Sequence, residues 1–320
     1  MSVRYVNVAA NDADYEAIWS LSLALDPDSF GSAEELREWD ERQLVAGRMN
    51  VRIVAWDRVF LVGTTIIGRP PSFTPDRALM ALRVHPERRG EGVGRALLEK
   101  TEEAAVSGGI AEVSCGVRET EPRSLRFAQA AGYEEIDREW WSTLDLTTFD
   151  PAVWSAGITT VLSSGIGFAT VAALGERSSW TRQLHDLYTA LEGDIPDNIE
   201  IVSIPFDDWM AQAIDNPQAL SSGFFVAFDG ERMVGLTELV GVDGQPTSLN
   251  QELTGVRASH RGRGIATALK AYALSWAKES GYEKVKTSNA QSNGPMLAVN
   301  TKLGFERDHG RVIFRKQLGT

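Results

Sequence analysis

The chain has 320 residues, more than one ordinary domain needs and suited to two of about 150. Its 43% hydrophobic and 24% charged residues belong to a globular protein rather than a fibrous or disordered one. A formal net charge of −12 argues against a general nucleic-acid surface and favours cationic or neutral partners.

The first residues, MSVRYVNVAANDADYEAIW, show no basic segment leading into an apolar run, so no signal peptide is expected. No stretch approaches the ~18 consecutive apolar residues of a membrane span. The lone cysteine, Cys115, excludes an intrachain disulfide and a CxxC site. No metal site is expected, and the setting expected is reducing and cytoplasmic.

A first strand is expected at YVNVAA (Tyr5 to Ala10), followed by one or two helices and then a run of strands containing VAWDRVFLVG (Val54 to Gly63). ERRGEGVGRALL (Glu87 to Leu98) then turns into an apolar-periodic helix, and strand, helix and strand follow. Asp150 and Pro151 read as the start of a short linker helix that Gly165 stops.

The chain then repeats itself. Arg89 pairs with Arg261, Gly92 with Gly264, Gly109 with Gly281 and Gly132 with Gly304, all 172 positions apart, and VAFDGERMVG (Val226 to Gly235) answers VAWDRVFLVG in the same register. One offset held over some eighty residues marks a duplicated domain. FATVAA (Phe168 to Ala173) matches YVNVAA at an offset of 163, so the second copy carries nine extra residues after its first strand. They fall around LEGDIPDNIEIVSIPFDDW, which reads as a loop.

In the second copy the strands are expected at GFFVAFD, MVGLTELVGV and QELTGVR. A helix with Ile265, Ala268, Leu269, Tyr272 and Trp276 on one face follows, then strand EKVKTSN, helix PMLAVNTKL and strand RVIFRKQ. The expected division is residues 1–146, a linker helix in 147–164, and residues 165–320.

The arginine–glycine turns carry the chemistry. A helix N-terminus leaves N–H groups unpaired and bears partial positive charge. Glycines before it let a ligand approach the backbone, and arginines beside it add fixed charge and bidentate contacts. Such a turn receives a phosphate or pyrophosphate. The P-loop pattern is absent, and a GxGxxG fingerprint fails in the second copy, which reads Gly262, Gly264, Ala266. That makes a nicotinamide dehydrogenase a distant alternative.

The pattern that fits is R-x-x-G-x-G/A, given by Arg89, Gly92 and Gly94 and again by Arg261, Gly264 and Ala266. With the Asn293 to Leu303-Gly304-Phe305 ending, looser in the first copy at Ala130 to Tyr133, the chain resembles the GNAT superfamily of acyl-CoA-dependent N-acetyltransferases. Two such domains in one chain are also similar to the layout of the mycothiol synthases.

The resemblance implies an α/β fold of two tandem GNAT domains, each a mixed, mostly antiparallel sheet flanked by helices. It implies acetyl-CoA as cofactor and a small-molecule amine as acceptor, with no nucleic acid and no membrane. In the second copy it assigns the cofactor to Val256, Arg261, Gly262, Arg263, Gly264, Ile265, Ala266, Thr267 and Asn293. In the first it assigns Val84, Arg89, Gly90, Glu91, Gly92, Val93, Gly94 and Arg95, with Glu121 where Asn293 stands in the second.

It further implies that the strand before the turn splays, so that the backbone N–H of Val256, or of Val84, meets the thioester oxygen. The tyrosine that usually serves as acid for the thiolate is replaced by Asn300 and Ala128.

Period-two alternation puts Glu252 and Thr254 on the face of Val256, which makes Glu252 the candidate base, with Glu238 a second. The first copy has Leu82 instead. Glu192, Asp194, Asp197, Glu200, Asp207 and Asp208 would attract a cationic acceptor such as a polyamine, an aminoglycoside or a lysine amine. Trp140, Trp141 and Trp180 are candidates for an aromatic pocket, and His260 for added charge at the turn.

The second copy is therefore expected to be catalytic and the first a binder or scaffold. The alternative is a protein that binds acyl-CoA without turnover.

Overall fold

The computed structural model describes residues 2–6, 12–25, 32–195 and 202–319. Two compact units are present. The first comprises Met1–Val117, Glu121–Ile136 and Val312–Thr320, and the second Arg118–Thr120 and Asp137–Arg311.

In the first unit β1 (Ser2–Tyr5), α1 (Asp12–Leu25) and α2 (Ala33–Val45) precede the meander β2 (Asn50–Asp57), β3 (Phe60–Gly68) and β4 (Arg77–Val84). Then come α3 (Val93–Ser107), β5 (Glu112–Arg118), α4 (Pro122–Ala130) and β6 (Glu134–Asp145). Neighbours run β1-β2-β3-β4-β5. All these pairs are antiparallel except β4–β5, which is parallel.

The linker helix α5 (Ala152–Ser163) forms as expected: the Asp150 carboxylate accepts from the Ala152 N–H at 2.9 Å, and Gly165 follows at φ +90°. It belongs to the second unit, where Trp154 and Ile158 pack on the core.

The rest of that unit is β7 (Ile166–Thr170), α6 (Thr181–Glu192), α7 (Phe206–Trp209), β8 (Ala219–Asp229), β9 (Arg232–Gly241), β10 (Ser248–Val256), α8 (Ile265–Glu279), β11 (Lys284–Ala290), α9 (Gly294–Leu303) and β12 (Glu306–Gln317). Neighbours run β7-β8-β9-β10-β11-β6. The pair β10–β11 is parallel, and β6 joins β11 antiparallel, from Lys284 opposite Asp145 to Ala290 opposite Glu139.

The duplication is written into the backbone. One bulge lies between Ala55 and Trp56 on β2 and another between Ala227 and Phe228 on β8, the same offset apart. The His85 N–H donates to the Val62 carbonyl at 2.9 Å, and the Arg257 N–H to Val234 at 2.8 Å.

The compact units depart from a division along the sequence at the last strand of each copy. Residues 137–145 of β6 belong to the second unit, where Leu144 and Leu146 are buried in its core. Residues 312–320 belong to the first, where Val312, Phe314 and Leu318 pack with Ile67, Val113 and Tyr133.

Helix α8 also departs from the one-faced pattern. Lys270, Ala271, Ala273 and Leu274 are buried along with Ile265, Ala268 and Leu269, while Tyr272 is 41% exposed and contacts the Phe168 and Phe225 rings.

Phe314, 1% exposed, fills a core to which it is remote in sequence. Phe314→Ala is expected to cost about 3–5 kcal/mol. Hydrogen exchange should locate the loosening at β5, with β10 and β11 unchanged; loosening in β10 and β11 instead would contradict this division of the chain.

Candidate active site in the second unit

The site begins where two parallel strands part. β10 and β11 pair at Ser248–Lys284, Leu249–Val285 and Asn250–Lys286, and β10 then continues to Val256 and β11 to Ala290. The Thr287 hydroxyl donates to the Gln251 carbonyl at 3.1 Å across the apex of this fork.

On its other side β10 stays paired with β9, and the bond from Arg257 to Val234 fixes the phase of that ladder. Residues one step away in an antiparallel ladder point the opposite way, so the Val256 N–H is directed away from β9, into the fork. β4 and β5 part after Leu79 and Ser114, with Val84 in the same phase.

The copies differ in the strand itself. β10 carries a register shift between Gln251 and Thr254, whereas β4 pairs with β3 without one from Leu79 to Val84. A bulge inserts a residue and re-aims its neighbours. Glu252 lies in it, so strict alternation does not carry from Val256 back to Glu252. Thr254 and Gln251 both bond the Thr237 hydroxyl, at 2.7 and 2.8 Å.

At the turn, Gly262 and Gly264 have φ of +74° and +76°, which favours glycine at both. A Cβ at either would meet nothing within 4 Å, so the space over the turn is open. No side chain caps α8, whose first turn contains Ile265, Ala266 and Thr267. Arg263 makes no ion pair among the described residues, while Arg261 binds the Val256 carbonyl through Nε at 3.0 Å and pairs with Asp194. Sequence alone reads Arg261 as a phosphate contact; in the structure it also ties the strand end to the turn.

The first copy repeats this, with Arg89 Nε 3.3 Å from the Val84 carbonyl and its guanidinium 3.4 Å from Glu121. Gly90 and Gly92 likewise have positive φ, but Glu91 enters the turn and pairs with Arg88, which Asp57 also holds. Val93, Gly94 and Arg95 open the helix behind it.

Carboxyl groups collect beneath α6. Gly255 admits this helix closely, since a Cβ there would lie 3.1 Å from Leu191. Glu238 on β9 is 4% exposed and makes no hydrogen bond or ion pair through its carboxyl among the described residues; burial, with Glu252 nearby, pushes its pKa up to about 8. Glu252 has exposed surface, yet the protein around it raises its carboxyl above the usual range. Glu192, at the end of α6, has a buried, unbonded Oε2 and a pKa lifted to about 7 by desolvation. Desolvation, and then these three carboxyls, hold the phenol of the half-buried Tyr188 well above its ordinary value. The first copy has Ile66 opposite Glu238 and, lacking the bulge in β4, no residue opposite Glu252.

Asn300 is 2% exposed. Its Oδ1 accepts from Lys270 Nζ at 2.6 Å, and its Nδ2 donates to Asn289 Oδ1 at 2.6 Å. Lys270, 1% exposed, makes no ion pair among the described residues and lies 4.8 Å from the centre of the Phe305 ring. Asn293 begins α9, accepting from the Met296 N–H at 3.3 Å.

His260 is buried and bonded to Asp229 and Ser259. Trp180 is core, and Trp140 and Trp141 are covered by Arg307 and Arg311. Asp197 and Glu200 lie outside the described residues, and no three His, Cys, Asp or Glu among the described residues are grouped to hold a metal. Lys270, Asn289 and Tyr188 escaped the sequence reading. Comparing the copies position by position would have flagged two of them, since Lys270 faces Leu98 and Asn289 faces Val117.

The Acetyltransferase (GNAT) family matches residues 15–133 and 182–305, well over half of the chain. The chain belongs to this family of acyltransferases, with two GNAT domains in tandem. The family uses acetyl-CoA. Among solved structures the chain is similar to a tandem GNAT protein from the clavulanic acid biosynthesis pathway, with TM-score 0.75 and 21% identity over 100% of this chain and 99% of that one. It is also similar to a GCN5-related N-acetyltransferase from Sphaerobacter thermophilus, with TM-score 0.73 and 22% identity over 100% and 96%. No curated protein matches the sequence. No helix among the described residues is long and apolar enough to cross a membrane.

Lys270 has a pKa lowered to about 7 by burial. Below pH 7 both folded and unfolded chains carry the ammonium, and burying it costs stability; as pH rises to 10.5 the unfolded chain loses its proton too and the cost disappears. Lys270→Leu is therefore expected to gain more stability at pH 6 than at pH 10, by on the order of several kcal/mol. Denaturant unfolding at both pH values reads this directly, and equal gains would contradict a lone buried ammonium.

Proposed function

We propose that the second unit transfers an acetyl group from acetyl-CoA to a primary amine of a small molecule, by direct attack with both bound. Bound acetyl-CoA supplies the activated acetyl group. The observation that carries this reading is the buried Glu238, whose carboxyl has no partner among the described residues, beside a fork into which the Val256 N–H is directed.

The turn fits the cofactor's pyrophosphate. It has open space over two positive-φ glycines, a helix start with no side-chain cap, and Arg263, which makes no ion pair among the described residues. Arg261, Gly262, Gly264, Ile265, Ala266 and Thr267 would complete the cradle, and Asn293 would hydrogen-bond the pantetheine arm. Val256 offers its N–H to the acyl oxygen, where a fixed donor supports developing negative charge.

Glu238 and Glu252 act together as the base. Desolvation and mutual repulsion raise a carboxyl toward the pH at which it can both hold and release a proton. They take up the ammonium proton, so the amine is neutral when it attacks. Glu192 adds negative charge at the end of α6, which suits a cationic acceptor. Asn300 supports the sulfur side of the reaction.

For the first unit a different observation favours scaffolding or binding without turnover: Ile66 stands where Glu238 does in the second, β4 lacks the bulge that carries Glu252, and Glu91 enters its turn. The single cysteine, Cys115, is what supports a reducing, cytoplasmic setting.

Release of CoA thiol over a panel of amines tests the reading, and no release above background from any amine would refute it. Gly264→Glu is expected to abolish release and Gly92→Glu to leave it unchanged.

The rate should rise with pH to a plateau above about 8, the pKa of Glu238. Glu238→Gln should lower turnover about 10²–10⁴-fold. Glu252→Gln should move the acidic limb to lower pH, because removing a neighbouring negative charge lets Glu238 ionise more readily. A limb that stays in place would exclude the pair as base.

A further inference from the structure

A lysine buried without a carboxylate is a costly arrangement, and in this fold an avoidable one. Lys270 on α8, Asn300 on α9 and Asn289 on β11 correspond to Leu98, Ala128 and Val117 in the first unit, and Leu98 and Ala128 are buried there in an apolar cluster that Val117 borders. The same architecture closes with hydrocarbon at all three places, so folding does not require the polar set.

The three side chains are ordered head to tail. Lys270 Nζ donates to the Asn300 carbonyl oxygen at 2.6 Å. That turns Asn300 Nδ2 toward Asn289, where the contact at 2.6 Å must in turn be an oxygen. Asn289 is thereby left with Nδ2 outward. No acceptor for that group is found among the described residues, and Asn289 is half-buried rather than enclosed. It stands on β11 three residues beyond Lys286, the last to pair with β10, and so on the open wall of the fork. Donors in such a row polarise one another.

We propose that Lys270, Asn300 and Asn289 form a directed donor row that presents Asn289 Nδ2 to an anionic sulfur in the fork, the thiolate of CoA. Asn289 makes the contact; Lys270 and Asn300 are positioning residues that fix its orientation. The inference rests on the acyltransferase reading of the same fork. It also gives Asn300 a defined part: through Asn289, rather than by meeting the sulfur itself.

The test uses CoA as the probe and two readouts besides turnover. Native mass spectrometry counts bound CoA, and ultraviolet absorbance of the thiolate, followed against pH, reports how readily the bound thiol ionises. In wild type the bound thiol should ionise at lower pH than free CoA. Lys270→Leu and Asn289→Ala should each weaken that ionisation about tenfold, the scale of one hydrogen bond to a charged group.

The triple variant K270L/N289V/N300A, which installs the first unit's residues, should do no more than the single variants, and CoA should still bind in all three. Asn289→Ala leaves the buried Lys270–Asn300 pair intact, so a folding defect in the other variants would not silence the test.

Unchanged ionisation in either single variant, with CoA bound, would overturn the proposal. A shift in Lys270→Leu alone would mean that the charge acts without the amides, and would overturn it equally. Failure of wild type to bind CoA would instead remove the acyltransferase reading on which the proposal rests.

Discussion

Three paired residues hold β10 to β11, and then the strands separate. A backbone that leaves a ladder strands its polar groups, which must find water, side chains or a ligand. Here the Thr287 hydroxyl closes the apex and the Val256 N–H is left directed into the gap. The strand end cannot simply fray, because the Arg261 guanidinium holds the Val256 carbonyl from the far side of the turn. Fork and phosphate-receiving turn are thus one construction, braced by the residue that marks the turn in the sequence. Arg89 does the same for Val84. The doubled arginine therefore has a structural reason to recur even where the surrounding chemistry has changed.

Much of this was legible in the sequence. Glycines at a fixed offset announced the duplication because positive φ leaves little alternative to glycine, and Gly92, Gly132, Gly264 and Gly304 all prove to have it. Asp150 and Gly165 bounded the linker helix for equally local reasons. The exchanged last strands were not legible. Residues 134–145 and 306–317 read as ordinary strands wherever they pair, and no local pattern names the neighbour.

The site was half legible. Charged residues on strands drew attention to Glu238 and Glu252, but the bulge in β10 defeats an alternation count, since an extra residue changes the face of everything before it. Lys270 was hidden for a different reason. A lysine inside an apolar-periodic helix reads as a solvated position, and its burial is decided by α9 and β11, both distant in sequence.

The two units form a comparison that a single domain could not offer. At four places on one scaffold, Glu238, Lys270, Asn289 and Asn300 face Ile66, Leu98, Val117 and Ala128, and the bulge that carries Glu252 has no counterpart in β4. Desolvating a lone ammonium or carboxyl costs free energy that an aliphatic side chain does not. The first unit shows that the aliphatic answer folds. The second sustains the cost twice, with carboxyls on β9 and β10 beneath α6 and a lysine-headed amide row running from α8 to β11. Here neither Glu238 nor Lys270 makes an ion pair among the described residues, each being held by its own elements. That is the arrangement expected where one group must accept a proton while the other faces a developing anion.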